Sequence, residues 1–356
     1  MGVPLRIGVM QLTMEPLEEI LAHAEQLDRH GFDTMWLAEA YPWWRLHSME
    51  ARSSTALSAL IGQATRRLTV GWGIISPYTR HPIQVAMEAR VTQEATGGGR
   101  LLLGFGASKI FMKEIGVGTR VPARPLTAIR ESVEIVRSVL AGEELDYHGT
   151  EYEAVIPPLR DDALAPREPV PIYVAGTGPR LQRMAGELAD GLLTPSITTP
   201  QFVRLSRDNL VAGATAAGRD GADIDLGCTI VASIDQDREK GREGAREIAG
   251  MYLANKVENI QASADTLLDS AGLTRQELQP IADAMRSGGR LAAAAAVTDE
   301  ILAKTRPIAG TPADCIDAIE EYHDAGCTHI MLELWGGDRN AQIELFGSQV
   351  LPHFQR

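Results

Sequence analysis

The chain has 356 residues, 44% of them hydrophobic and 23% charged, with a formal net charge of −13. That describes a globular protein with a large core, built as two domains or as one α/β barrel. The acidic balance argues against a nucleic-acid or anionic-membrane partner, and no apolar run is long enough to span a bilayer. The N-terminal MGVPLRIGVMQL enters a strand-like run at once and lacks the parts of a secretory signal. Cys228, Cys315 and Cys327 show neither CxxC nor metal spacing. The expectation is buried thiols in a reducing compartment, and hence a cytoplasmic protein with no metal site.

Strand and helix alternate along the chain. Leu5 to Met10 reads as a first strand. Leu17 to His30 is an amphipathic helix, with Ile20, Leu21, Ala24 and Leu27 on one face and Gly31 closing it. Thr34 to Ala38, Leu68 to Ile75 and Leu101 to Phe105 read as the next three strands. Helices over Ser53 to Thr65, Pro82 to Thr96 and Thr127 to Leu140 alternate with them. Residues 142 to 168 break the rhythm with a short hairpin around Tyr147-His148-Gly149. A fifth strand ends in Gly176-Thr177-Gly178-Pro179, and a helix follows. Gly191 to Pro195 is the sixth strand, Gln201 to Ala217 a helix and Asp225 to Ser233 the seventh strand. A helical insertion then runs over about 237–305, and Thr328 to Leu334 is the eighth strand.

Strands separated by single helices imply parallel pairing through right-handed crossovers. Eight such units close into a (β/α)8 TIM barrel with a helical insertion before the last strand, a single domain over 1–356. An open doubly wound sheet is the competing architecture. In a barrel, chemistry belongs to the loops after the strand C-terminal ends. The candidate segments are Gln11 to Glu15, Glu39 to His47, Ile75 to His81, Gly104 to Gly118, Gly176 to Pro179, Pro195 to Thr199 and Glu333 to Gly337.

Those loops carry aromatics, glycines and few acid–base groups. Trp43 and Trp44 either cap the core or line a pocket for a planar ligand. His81, beside Pro82, reads as a structural histidine bound to a backbone carbonyl. Lys109 either meets an anion or is a solvated loop lysine. The Gly176-Thr177-Gly178-Pro179 turn is either an ordinary strand-to-helix connection or a phosphate-sized nest. In the second case its glycines allow a sharp turn and close ligand approach at a helix N-terminus. No catalytic triad, P-loop or zinc motif is legible. A bound cofactor bringing its own chemistry fits this set of loops.

Several segments carry a family resemblance: GFDTMWLAE (31 to 39), RLTVGWGIISPYTRHP (67 to 82), GGRLLLGFGAS (98 to 108), RPLTAIRESVEIVRSVLAGE (124 to 143), PIYVAGTGPRLQRMAGELADGLL (171 to 193) and GTPADCIDAIEEYHDAGCTHIMLEL (310 to 334). On these the chain resembles the bacterial luciferase-like superfamily. Within it, the chain is most similar to deazaflavin enzymes of the methylenetetrahydromethanopterin reductase type. The resemblance implies an isoalloxazine-like ring lying against a bulge at Gly73, Ile74 and Ile75, with a non-prolyl cis peptide at Gly73–Ile74. It implies a cofactor phosphate held by Gly106, Ala107 and Ser108 together with Ala175, Gly176, Thr177 and Gly178. It places the substrate near Tyr41, Trp43 and Trp44.

The chain also departs from its relatives. Sugar-phosphate dehydrogenases of the superfamily carry Asp-His where this chain has Glu39-Ala40, and a catalytic Glu at Lys109. The remaining catalytic candidates are Glu39 or Glu15 for a proton and Lys109 for negative charge. The implied function is a coenzyme F420-dependent oxidoreductase, moving a hydride between reduced deazaflavin and a C=C, C=N or C=O of a small molecule. An FMN-dependent monooxygenase and a non-catalytic flavin-binding protein are the alternatives; Glu39, Lys109 and Glu333 weigh against the last. Lys109, Lys113, Arg180 and Arg183 form a mild basic cluster suited to the anionic tail of F420. The resemblance also implies a homodimer, through residues 51–65 and Met87 to Thr96.

Overall fold

The computed structural model describes residues 3–39, 51–107, 124–158, 168–258, 262–334 and 336–355. The chain runs β1 (Arg6–Gln11), α1 (Leu17–His30), β2 (Thr34–Leu37), α2 (Ser54–Ala64), β3 (Thr69–Ile75), α3 (Pro82–Thr96), β4 (Leu101–Gly106) and α4 (Pro125–Ala141). A hairpin of β5 (Leu145–His148) and β6 (Glu153–Ile156) follows. Then come β7 (Ile172–Ala175), α5 (Pro179–Leu188), β8 (Gly191–Thr194), α6 (Pro200–Ala216) and β9 (Asp225–Ile234). The insertion is α7 (Arg238–Glu258), α8 (Ala262–Ser270), α9 (Arg275–Ala296) and α10 (Asp299–Thr305). The chain continues with β10 (Ile308–Gly310), α11 (Pro312–Asp324), β11 (His329–Leu334), α12 (Arg339–Leu345) and α13 (Leu351–Phe354).

Strands β1, β2, β3, β4, β7, β8, β9 and β11 pair in parallel, each with its neighbour in that order. The β11–β1 pairing closes the ring. This is the expected eight-stranded α/β barrel, and the open sheet is set aside. The short β10 pairs only with the far end of β9, Ile308 opposite Ala232. Strand ends shift by a residue or so from the sequence reading. For example, β2 stops at Leu37, although the Ala38 N–H still reaches the Gln11 carbonyl at 2.9 Å.

Local chemistry sets the helix ends. Gly31 and Gly97 close α1 and α3 in the left-handed region, at φ 82° and 75°. Thr311 and Asp314 form a capping box on α11, with Pro312 in its first turn. Within α9, Gly289 leaves helical geometry at φ 72°, so the alanine-rich run lies beyond a break in that helix.

Each barrel strand is buried on both faces. Outward residues such as Val9, Leu37, Trp72, Leu103, Val174 and Leu332 pack under the helices. Inward ones, among them Met10, Trp36, Leu102, Tyr173, Leu193 and Met331, fill the barrel. The two large rings fit because glycine stands opposite them. A Cβ on Gly71 would enter the Trp36 indole, and one on Gly191 the Tyr173 ring. Trp36 and Tyr173 meet edge to face at 5.2 Å.

Below them a polar cluster closes the N-terminal end of the barrel. Asp225 accepts the Tyr173 hydroxyl at 2.7 Å and pairs with Arg6, Thr328 and His329. Burial opposes its ionisation, but the His329 hydrogen bond and the charges of His329 and Arg6 hold it well below the usual carboxylate range. The opposite, C-terminal end is where the loops converge. Over it the insertion folds around its own apolar cluster, with Ile248, Leu253, Leu267, Leu278 and Ile281.

Candidate active site

The wall of the barrel mouth is built from the ends of β3, β4 and β7. The peptide between Gly73 and Ile74 is cis, at the position the resemblance implies, and the β3–β4 register shifts between Gly73 and Ile75. Ile74 lies over the β4 glycines. A Cβ on Gly106 would come within 2.9 Å of Ile74 Cγ1 and 3.3 Å of Ala175 Cβ. Ile74, Gly106, Ala107 and Ala175 thus form a small, apolar surface. Ile75 differs from its neighbours. Its side chain is fully buried in the outer core, so only its backbone belongs to the mouth.

The Gly176–Gly178 turn differs in mechanism from the sequence reading. Neither glycine takes a positive φ, and Gly178 sits at φ −79°. Gly176 is small because the Leu181 side chain covers it; a Cβ there would stand 2.8 Å from Leu181 Cδ2. At Gly178 an added Cβ would meet nothing within 4 Å. No side chain caps α5, and Pro179 has no N–H to satisfy. Thr177 lies between them, half-buried.

Beside this turn, α4 and α5 enclose a groove of about 390 Å³, lined by Leu126, Thr127, Arg130, Arg180, Arg183, Met184 and Glu187. Arg130 is held by both Glu187 oxygens, at 2.9 and 2.7 Å. Arg180 and Arg183 are exposed.

The two expected acids are occupied by cations. Glu39 pairs with Arg80 at 2.5 Å and accepts the Ser54 hydroxyl at 2.6 Å; its side chain is 3% exposed. Glu15 pairs with Arg339 at 2.5 Å and accepts from Gln11 at 2.7 Å. Lys109, Ser108, Tyr41, Trp43 and Trp44 lie outside the described residues. His81 is structural, as expected, but its partner is an amide rather than a carbonyl. Its Nδ1 accepts the Ile83 N–H at 3.3 Å and so caps α3.

The structure adds a cluster that the sequence reading did not assemble. Glu333, near the end of β11, points into the mouth and is fully buried. Ser196 Oγ donates to its Oε2 at 2.7 Å, and the Tyr252 hydroxyl donates to its Oε1. Tyr252 comes from α7 of the insertion. Burial pushes Glu333 up to about 7, although both hydrogen bonds and the charge of Lys256 pull the other way. Burial likewise lowers Lys256 to about 8, against the pull of Glu333. One signal was available in THIMLEL: strand alternation puts His329, Met331 and Glu333 on one face.

These residues fit a planar cofactor with an anionic arm. The apolar wall can take a ring face, the open space at Gly178 and the uncapped α5 N-terminus can take a phosphate, and the arginine groove can take further negative charge. Among the described residues no group of three or more His, Cys, Asp or Glu could hold a metal ion, and no helix is long and apolar enough to cross a membrane. Fold and site together define a (β/α)8-barrel protein with a small-residue apolar wall and a buried acid at the C-terminal end of its strands.

The chain belongs to the luciferase-like monooxygenase family, whose model matches residues 1–329. It is 28% identical over 339 residues to a 5,10-methylenetetrahydromethanopterin reductase of Methanopyrus kandleri, covering 92% of each chain. It is 26% identical to an F420-dependent glucose-6-phosphate dehydrogenase of Amycolatopsis mediterranei, covering 94% of this chain and 93% of that one. Its structure superposes on the coenzyme F420-dependent tetrahydromethanopterin reductase of Methanopyrus kandleri with a TM-score of 0.84 at 25% identity, covering 99% of this chain and 100% of that one.

Proposed function

We propose that this protein is an oxidoreductase that binds coenzyme F420 and transfers a hydride between the reduced deazaflavin and a C=C, C=N or C=O group of a small organic substrate. One observation carries the reading. A small-residue apolar wall and the uncapped start of α5 lie at the barrel mouth, and α5 continues from there into a groove against α4 with two exposed arginines. That sequence of surfaces suits a ring, a phosphate and an acidic tail in turn. When bound, the deazaflavin supplies the two-electron hydride chemistry.

The chain's own residues supply position and shelter. Ile74, Gly106, Ala107 and Ala175 support the ring through van der Waals contact. The backbone at Thr177 and Gly178 holds the phosphate, and Arg180 and Arg183 draw the tail along the groove, with Lys109 as a further partner. The insertion roofs the mouth with Met251, Tyr252 and Met285. Exclusion of water and fixed orientation account for much of the rate in such a site.

An FMN-dependent monooxygenase is the second reading, favoured by the family to which the chain belongs. The apolar wall accepts either ring; the arginine groove favours the cofactor with the longer acidic tail. A non-catalytic flavin carrier is disfavoured by a buried acid at the mouth. Titration of the purified protein with F420 and with FMN separates these readings. F420 binding that weakens with salt supports the proposal, and tight FMN binding without F420 affinity refutes it.

We further infer a homodimer in the cytoplasm. Leu60 on α2 and Met87 and Val91 on α3 are 46%, 59% and 60% exposed, an apolar face suited to a second copy.

A further inference from the structure

Glu333 differs from the other acids near the mouth in its partners. Glu39 and Glu15 each face an arginine. Glu333 faces two hydroxyls, Ser196 Oγ and Tyr252 Oη, one on each oxygen. A hydroxyl can donate to a carboxylate or accept from a carboxylic acid, so the same contacts serve both protonation states. The side chain is fully buried, and burial raises it to about 7, inside the working range of a general acid. Tyr252 and Lys256 of α7 and Ser196 of the β8–α6 loop are the titratable or polar groups that act on it. Its neighbour on β9 is Val231, and the β1 register puts Met10 beside it, so neither adjoining strand adds a charge. Tyr252 is half-buried and packs in the same apolar cluster as Ile74 and Ala175. Its hydroxyl meets the buried acid from the insertion side of the mouth.

We propose that Tyr252 and Glu333, with Ser196 holding the carboxyl group, deliver the proton that accompanies hydride transfer. The proposal rests on the reading above, in which a reduced deazaflavin is the hydride donor. In the reducing direction the acceptor carbon of a C=X bond gains the hydride and its two electrons. The π pair moves to X, which takes the Tyr252 hydroxyl proton. The carboxylic proton of Glu333 passes to Tyr252 Oη and leaves a carboxylate. Lys256, half-buried on the same helix, stabilises that carboxylate until it regains a proton from solvent. Oxidation runs the same path in reverse. Tyr252 is the catalytic group in this scheme, and Glu333 acts through it.

The first arm of the test uses the protein alone. Infrared titration from about pH 5 to 9 follows the C=O stretch of a buried protonated carboxyl group. The wild type is expected to lose such a band with a midpoint near 7, and Glu333→Gln to lack it. Tyr252→Phe and Ser196→Ala are expected to raise the midpoint, because each hydroxyl favours the carboxylate. The second arm measures F420 affinity by fluorescence, and the oxidation of reduced F420 by cyclohex-2-enone, 1-pyrroline and menadione. Glu333→Gln and Tyr252→Phe should bind F420 within about threefold of the wild type yet react ~10²–10⁴-fold more slowly. They should also lose the fall in rate that the wild type shows above pH 7. Should Glu333→Gln fail to fold, Glu333→Asp and Tyr252→Phe carry both arms. The absence of a titrating band, or a Glu333→Gln variant with the wild-type rate and pH profile, overturns the proton role alone. A wild type that neither binds F420 nor oxidises its reduced form overturns the hydride reading and the proton role with it.

Discussion

Glu333→Gln also makes a prediction about stability that needs no cofactor. The folded protein raises this acid from 4.5 to about 7. A folded-state value above the unfolded one means that the folded chain holds the proton more tightly. Folding is therefore favoured least where the group must ionise. Relative to a neutral side chain, the wild type loses stability as pH rises from about 4.5 to about 7, and the loss is then constant. A rise of that size corresponds to about 3.5 kcal/mol at most, at ~1.4 kcal/mol per unit. The pull of Lys256 is already contained in that net rise, and relaxation and water penetration at a buried charge bring the expected difference to about 1–3 kcal/mol. Glutamine keeps the shape, and the Ser196 and Tyr252 hydroxyls can rotate to accept its amide protons. The assay is urea unfolding of both proteins at about pH 5, 6, 7 and 8. The gap between the two midpoints should be smallest at the lowest pH, and the variant should gain on the wild type as pH rises towards 7. A difference that stays flat across this range, or that favours the wild type at pH 8, refutes the burial argument.

Three further outcomes follow from the structure. Reversing charge in the groove with Arg180→Glu and Arg183→Glu should weaken F420 binding by about tenfold or more at low salt and leave FMN binding little changed, as isothermal titration of each cofactor would show. Gly71→Ala places a methyl group inside the Trp36 ring position and should lower stability by about 1–3 kcal/mol in denaturant titrations; an unchanged midpoint would show that the barrel interior repacks freely. Met87→Lys with Val91→Lys should convert a dimer to monomer in sedimentation experiments, and a wild type that is already monomeric removes the proposed interface.

The fold was legible because its signals are local. Strand and helix periods, Gly31 and Gly97 at helix ends and Pro82 in a first turn all act over a few residues. Backbone features were also legible through the resemblance: the Gly73–Ile74 peptide is cis as it implies, and Ala175 ends β7. The chemistry of the acids was not legible, because their partners are remote. Arg80 is 41 residues from Glu39, and Arg339 is 324 from Glu15. Glu333 could be placed inside the barrel by alternation alone. Nothing in the sequence joined it to Tyr252, 81 residues earlier on a helix of the insertion. The glycines at 176 and 178 sit in the strand-to-helix turn that the sequence predicts, but neither takes a positive φ there. What they provide is room, for Leu181 in one case and for open space in the other.

A crystal structure of the protein with coenzyme F420 tests the central claim most directly. Ring density is expected against Ile74, Gly106 and Ala175, phosphate at the start of α5 beside Gly178, and the acidic tail running past Arg180 and Arg183. Density for F420 elsewhere on the protein, or a mouth that takes FMN and excludes F420, would contradict it.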